Sequence, residues 1–206
     1  MQKTRKTDNE RVMKMEDFMN AVDQSVRERL LVAGLREIEE HGFNDFSLRR
    51  VASSCNLSCA APYRHFKGKE ELLIEIFKYI NSRWQMFKSE IDKAHQADAQ
   101  RRIIELSVAY LRFLIVTPSY LSMMFQKNQL ISEQELKKLP MPDEFLVELI
   151  GGYGREKGWS DERVGTTLYT VKSTLYGTAL LIRTCEKGTE NKIIGDFTSL
   201  LNGLFN

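Results

Sequence analysis

The sequence is poor in chain breakers: 206 residues hold only four prolines and twelve glycines. Neither occurs from Lys69 to Thr117. Strand-rich chains need turns far more often than that, so a β fold is excluded. Cysteine is sparse and odd in number (Cys55, Cys59, Cys185). That excludes a disulfide framework and sets a reducing cytoplasm as the expected compartment. His41, His65 and His95 are scattered without ligand spacing, so no metal site is expected. The longest uncharged run, Phe113 to Gln126, contains Pro118 and falls short of the about 20 residues that a membrane-spanning helix needs. The first residues are polar, with no apolar stretch behind their basic residues, so no signal peptide is expected. There is no nucleophile–base pair, no Gly-rich phosphate loop and no clear carboxylate pair. The chain therefore reads as neither an enzyme nor a cofactor carrier. Charge of one sign is also lacking. Thirty Lys+Arg oppose 28 Asp+Glu, and the net +2 is silent about partners.

What is abundant is Leu, Lys, Glu, Arg, Met and Ala, all helix formers. The chain reads as all-α. A first helix runs from about Asp17 or Gln24 to Glu40, with Leu31, Leu35 and Ile38 on its core stripe. Gly42 follows, where a left-handed residue is wanted. Ser47 looks like the N-cap of a short second helix whose Leu48, Val51, Ala52 and Cys55 fall at i, i+3, i+4 and i+7. Asn56 ends it, since Asn tolerates the left-handed region. Ser58 caps an expected third helix reaching Phe66, and a fourth runs from Lys69 to about Lys93. Further helices are expected over 98–116, 119–138, 143–157, 160–186 and 189–204.

Two short helices around a tight turn suggest a helix-turn-helix. From Ser47 to Lys69 there are five cations (Arg49, Arg50, Arg64, Lys67, Lys69) and no acid. Expected helix N-termini at Ser47, Ser58 and Lys69 would add backbone N–H groups suited to phosphate. A locally basic surface in a nearly neutral chain is the footprint of a DNA-binding module.

The stretch from Phe46 through Tyr63-Arg64-His65-Phe66 to Lys69-Glu70-Glu71-Leu72 resembles the DNA-binding domain of the TetR family of transcriptional regulators. The likeness covers roughly residues 25 to 75. It departs from the family at Asn56, where Gly is usual, and at Pro62, where many members have Leu. Proline there forgoes one helical hydrogen bond and crowds the Ser58 carbonyl, so a tight or kinked first turn is expected, with the helix kept. The resemblance implies an N-terminal three-helix helix-turn-helix domain followed by a C-terminal helical ligand-binding and dimerisation domain. The expected division is 1–23 as a polar basic arm, 24–83 as the DNA-binding domain, and 84–206 as the effector-binding and dimerisation domain.

By resemblance, the third helix enters the major groove of double-stranded DNA with Ser58, Cys59, Ala60, Ala61 and Tyr63 outward, while Pro62 and Phe66 face the core with Leu57. Tyr63 and His65 would contact phosphate or sugar, and Lys69 phosphate. Cys, Ala and Ala at 59–61 cannot make bidentate base contacts. Hydrogen-bond readout then falls to Arg49 first, with Arg50 or Arg64 behind it, and DNA shape supplies the rest. Arg49→Ala should relax base preference at one half-site position by about 1–3 kcal/mol. Cys55 is expected in the core. Cys59 sits among cations that would lower a thiol pKa, which makes it the better candidate for a redox role.

In the C-terminal part, Met and aromatic residues cluster. Such a stripe is commonly core, but the family resemblance implies an effector cavity lined by Tyr110, Phe113, Tyr120, Met124, Phe145, Tyr169 and Tyr176. That composition favours a mostly apolar or aromatic small molecule. Lys172 lies in an otherwise apolar helix and reads as an exposed lysine or a counter-charge for an anionic ligand. Small residues (Gly165, Ser173, Gly177, Ala179) and apolar ones (Leu180, Leu181, Ile194, Phe197, Leu200, Leu201, Leu204) in the last two helices are the expected homodimer interface. A dimer would place two recognition helices roughly 34–36 Å apart on a palindromic operator. The alternatives are a nucleoid-associated or protein-controlled DNA-binding protein without an effector, and an all-helical enzyme or carrier.

Overall fold

A computed structural model describes residues 25–95, 97–125, 131–136, 139, 141–186 and 188–205. The side chains of Met124, Phe125, Glu133 and Leu136 are outside that description. The expected N-terminal arm, 1–23, lies outside it too. Among the described residues all regular structure is helical, without strands. The α-helices are α1 (Val26–His41), α2 (Leu48–Ser54), α3 (Lys69–Ala94), α4 (Ala99–Val116), α5 (Pro118–Phe125), α6 (Glu133–Leu136), α7 (Glu144–Glu156), α8 (Asp161–Ile182) and α9 (Glu190–Phe205). Among the described residues no helix is long and apolar enough to cross a membrane.

By contacts the chain divides into two units. One comprises the described residues of Met1–Arg83 and Val116–Pro140; the other, those of Trp84–Ile115 and Met141–Asn206. The expected boundary at 83/84 is a single cut. By contacts the described residues of 116–140 group with the N-terminal unit instead.

In the first unit, α1 starts at Ser25, whose hydroxyl accepts from Glu28 N at 3.1 Å. It ends at Gly42, with φ +75. Its apolar stripe (Leu30, Leu31, Ile38) is buried with Val51 and Ala52 of α2 and with Leu72, Leu73, Ile76 and Phe77 of α3. The α5 helix packs on α1. Tyr120 stacks on Phe77 with ring centroids 5.0 Å apart. Ser119 donates to Glu39 at 3.4 Å. The single helix expected over 119–138 is interrupted, since Ile131 and Ser132 are not helical. Ser132 starts a new turn instead: its hydroxyl and carbonyl both accept from Glu135 N.

In the second unit, Trp84 on α3 is fully buried and its indole N–H donates to the Pro142 carbonyl at 3.1 Å. Around it lie Tyr110 (4.9 Å), Phe113 (5.3 Å) and Phe145 (5.7 Å). Such ring pairs add about 0.5–1.5 kcal/mol each beyond their buried area. The far end of α7 is closed by Tyr153, which donates to the Phe205 carbonyl at 3.2 Å and meets Trp159 edge-on at 5.3 Å.

Candidate functional site

The turn between α2 and the basic segment is a complete helix stop. Asn56 takes φ +57, Leu57 N donates to Ala52 O at 2.9 Å and Asn56 N to Ser53 O at 3.0 Å. This is the Schellman arrangement, with Asn in the place Gly usually holds. Ser47 caps the front of α2 by accepting from Arg50 N at 3.4 Å.

The expected third helix is corrected. Residues 58–66 form no α-helix. A turn, with Ala61 N bonded to Ser58 O at 2.9 Å, runs into a short 3₁₀ helix, Pro62–Arg64. Arg64 N donates to Ala61 O and His65 N to Pro62 O, three residues back each time. The sole bond of α-helical span there is Phe66 N to Pro62 O, at 2.9 Å. The cause is Pro62, which has no N–H for the Ser58 carbonyl and whose ring crowds it. Tightening to three residues per turn lets Ser58 O find Ala61 N instead. The effect of Pro62 is thus larger than a kinked first turn, and no helix N-terminus forms at Ser58. Pro62 and Phe66 are nevertheless buried, with Leu57 half-buried, as the expected orientation requires. Ser58, Cys59, Ala60, Tyr63, Arg64 and His65 are exposed and Ala61 is half-buried; Tyr63 is 61% exposed. The segment presents these side chains outward without being a regular helix.

The two arginines of α2 are placed differently. Arg49 is exposed and enters no ion pair among the described residues. Arg50 Nε donates to Glu37 Oε1 at 2.8 Å, and its terminal nitrogen donates to the Asp45 carbonyl. The hydrogen bond to Glu37 raises the Arg50 pKa, the small desolvation opposing it. Glu37 is buried and also accepts from Ser47 N at 3.0 Å. Sequence reasoning missed Glu37: it lies outside the acid-free segment and reaches it only through the packing of α1 against α2. Arg50 is therefore committed within the protein, whereas Arg49 is not.

Lys69 opens α3 with its ammonium 5.7 Å from the centroid of the Phe46 ring. Partial desolvation lowers its pKa. The neighbouring Lys67 N–H is taken by the Glu71 carboxylate. Cys55 is buried, its thiol 3.4 Å from Arg29 O, as expected of a core residue; Cys59 is exposed.

The residues expected to line an effector cavity divide. Tyr110, Phe113 and Phe145 are buried together around Trp84, and Tyr176 joins through its hydroxyl, 3.5 Å from that of Tyr110. Tyr120 belongs to the first unit, on Phe77. The Met124 side chain lies outside the described residues. Tyr169 is corrected: 73% exposed on α8, it lines no interior. Lys172 is no simple exposed lysine, since its Nζ lies 2.7 Å from Asp143 Oδ2. Asp143 is a second residue that sequence reasoning missed. Burial first, and the Asp143 charge next, push the Tyr176 hydroxyl above its ordinary pKa. Of the expected dimer residues, Leu180, Leu181 and Leu200 are exposed, whereas Ala179, Ile194, Phe197 and Leu201 are spent inside their own chain.

With this geometry in place, residues 30–76 match the family model for bacterial regulatory proteins of the tetR family. That segment belongs to the TetR family. The chain is also similar to the HTH-type transcriptional regulator YerO of Bacillus subtilis (strain 168), at 36% identity over 53 residues. The match spans 26% of this chain and 18% of YerO. The chain shares its fold with PfmR, a TetR family regulator from Thermus thermophilus (TM-score 0.66, 21% identity, 89% of this chain and 97% of PfmR). It also resembles FadR from Bacillus subtilis in complex with stearoyl-CoA (TM-score 0.60, 14% identity, 86% of this chain and 94% of FadR). The TetR-type arrangement, an N-terminal helix-turn-helix followed by a helical C-terminal domain, is thus the fold of this protein.

Proposed function

We propose that this protein is a transcriptional regulator, a repressor that binds a palindromic operator as a homodimer and is released by a small, mostly apolar effector. One observation carries the DNA-binding part. Within the TetR-family segment, an acid-free run holds exposed Tyr63, Arg64, His65 and Arg49 on one helix-turn-helix, with Lys69 heading the next helix. Phosphate contacts from Tyr63, His65 and Lys69 would fix register, and Arg49 would read a base. The aromatic cluster of the second unit supports an effector, and the stearoyl-CoA bound by FadR is an instance of this fold holding a ligand with a long apolar chain. Exposed Leu180, Leu181 and Leu200 on α8 and α9 support a dimer through those helices.

The test is selection of bound sequences from random DNA at stated salt, followed by titration of Tyr63→Ala and Lys69→Ala. Both variants should lose about tenfold or more in affinity, and Lys69→Ala should lower the salt slope by about one. Unchanged binding in both would sink the assignment and favour an all-helical carrier.

A further inference from the structure

The Asp143–Lys172 pair lies outside the basic segment 47–69 and is costly to bury. Asp143 stands at the N-cap of α7, where its carboxylate ordinarily accepts the helix's own N–H groups. Here it makes no capping bond. It is turned toward Lys172 of α8 instead, with Oδ2 2.7 Å from Nζ. The partners are not equally fixed. Asp143 is 1% exposed on a short side chain, and the preceding residue, Pro142, is held by the Trp84 indole. The Lys172 side chain is 35% exposed on a flexible four-carbon stem. Lys172 can therefore swing into water, while Asp143 cannot. The charge that stays in the core is negative.

Its surroundings are aromatic. Tyr176, one turn along α8 from Lys172, meets Tyr110 edge-on at 6.4 Å. Tyr110 meets Phe145 edge-on at 5.9 Å and Trp84 at 4.9 Å. The Phe145 ring already has the Lys88 ammonium 5.7 Å from its centroid. Ring faces attract cations, most strongly where water is excluded. An anion entering here would meet a buried carboxylate. A neutral ligand that displaced Lys172 would leave that carboxylate uncompensated.

We propose that the effector is an organic cation with an aromatic or apolar body, whose charge takes the place of the Lys172 ammonium beside Asp143, among Trp84, Tyr110, Phe145 and Tyr176. This rests on the reading that an effector controls DNA binding. The chemistry of the site is therefore tested first on DNA-free protein.

Three probes of similar body are titrated calorimetrically into the full chain: benzyltrimethylammonium, benzyl alcohol and benzoate. The cation should bind about tenfold or more tighter than the other two. Asp143→Asn should abolish that preference. Lys172→Met should strengthen cation binding by a similar factor, because it removes the competing ammonium. These opposite signs separate the site from a merely structural ion pair, whose loss in either variant would weaken binding alike. The double variant Asp143→Asn/Lys172→Met, with no buried charge to leave unpaired, serves where a single variant fails to fold. It should keep any benzyl alcohol binding and show no preference for the cation. Preference for benzoate, equal cation binding in Asp143→Asn, or no binding of the cation overturns the proposal. Operator release is measured separately. Cation binding that leaves the operator complex intact overturns the effector reading alone; release by benzoate or benzyl alcohol in its place overturns the cation class.

Discussion

Arg49 and Arg50 are adjacent on α2, yet only one of them faces outward without a partner among the described residues. Arg50→Ala should therefore act on stability first, since it strips a cation from buried Glu37. Thermal melts should show a lower midpoint for Arg50→Ala and an unchanged one for Arg49→Ala, with DNA preference reversed: relaxed at one base by Arg49→Ala and not by Arg50→Ala. The Asp92–Arg102 pair makes a pH prediction in the second unit. Arg102 donates twice, at 2.6 and 2.9 Å, and those bonds hold the Asp92 carboxyl below its ordinary value. A folded pKa below the unfolded one means that the stabilisation is present above the ordinary carboxylate range. It is lost as the pH falls through the lower, folded value. Both side chains are partly exposed, so solvent screens the pair and the contribution is about 1 kcal/mol. Melting curves taken from neutral to acid should lose this component in the wild type. Asp92→Asn should start lower and fall less.

At the scale of elements, breakers and caps made most boundaries legible. Ser47 and Gly42 act as the pattern implied, and Asn56 adopts the left-handed turn. The failure at 58–66 has a local cause. The periodicity there is that of a helix, but a single proline removes the first i→i+4 bond and the short segment has too few others to recover. Pro62→Leu should restore an N–H for Ser58 O and convert the run to a regular α-helix. Slower amide exchange at residues 62–66 and a small gain in helical circular dichroism are the expected signs, and unchanged exchange would mean that another constraint holds the 3₁₀ form. The candidate site was less legible than the fold. Glu37 with Arg50 and Asp143 with Lys172 are pairings across separate helices, 13 and 29 positions apart, and no local pattern announces them. Tyr169 failed for a related reason, since helical spacing puts it near either face of α8 and packing alone turns it outward.

For the molecule as a whole, assembly is the open axis. Leu181 is 60% exposed and Leu180 50%, on the helix that also carries Tyr169. Sedimentation of the purified chain should give a dimer, and Leu181→Glu should shift it toward monomer and weaken operator binding while leaving the melt of each unit's core largely intact. A monomeric wild type would remove the two-fold operator from the proposed function. Trp84 adds a consequence of another kind. The chain has two tryptophans, Trp84 and Trp159, and both fall in the second unit. The first unit holds Tyr63, Tyr79 and Tyr120 but no indole. Red-edge excitation therefore illuminates the C-terminal core and leaves the DNA-binding unit dark. A change in indole emission on adding operator DNA to the unlabelled protein would report communication between the units directly, with no dye and no engineered reporter.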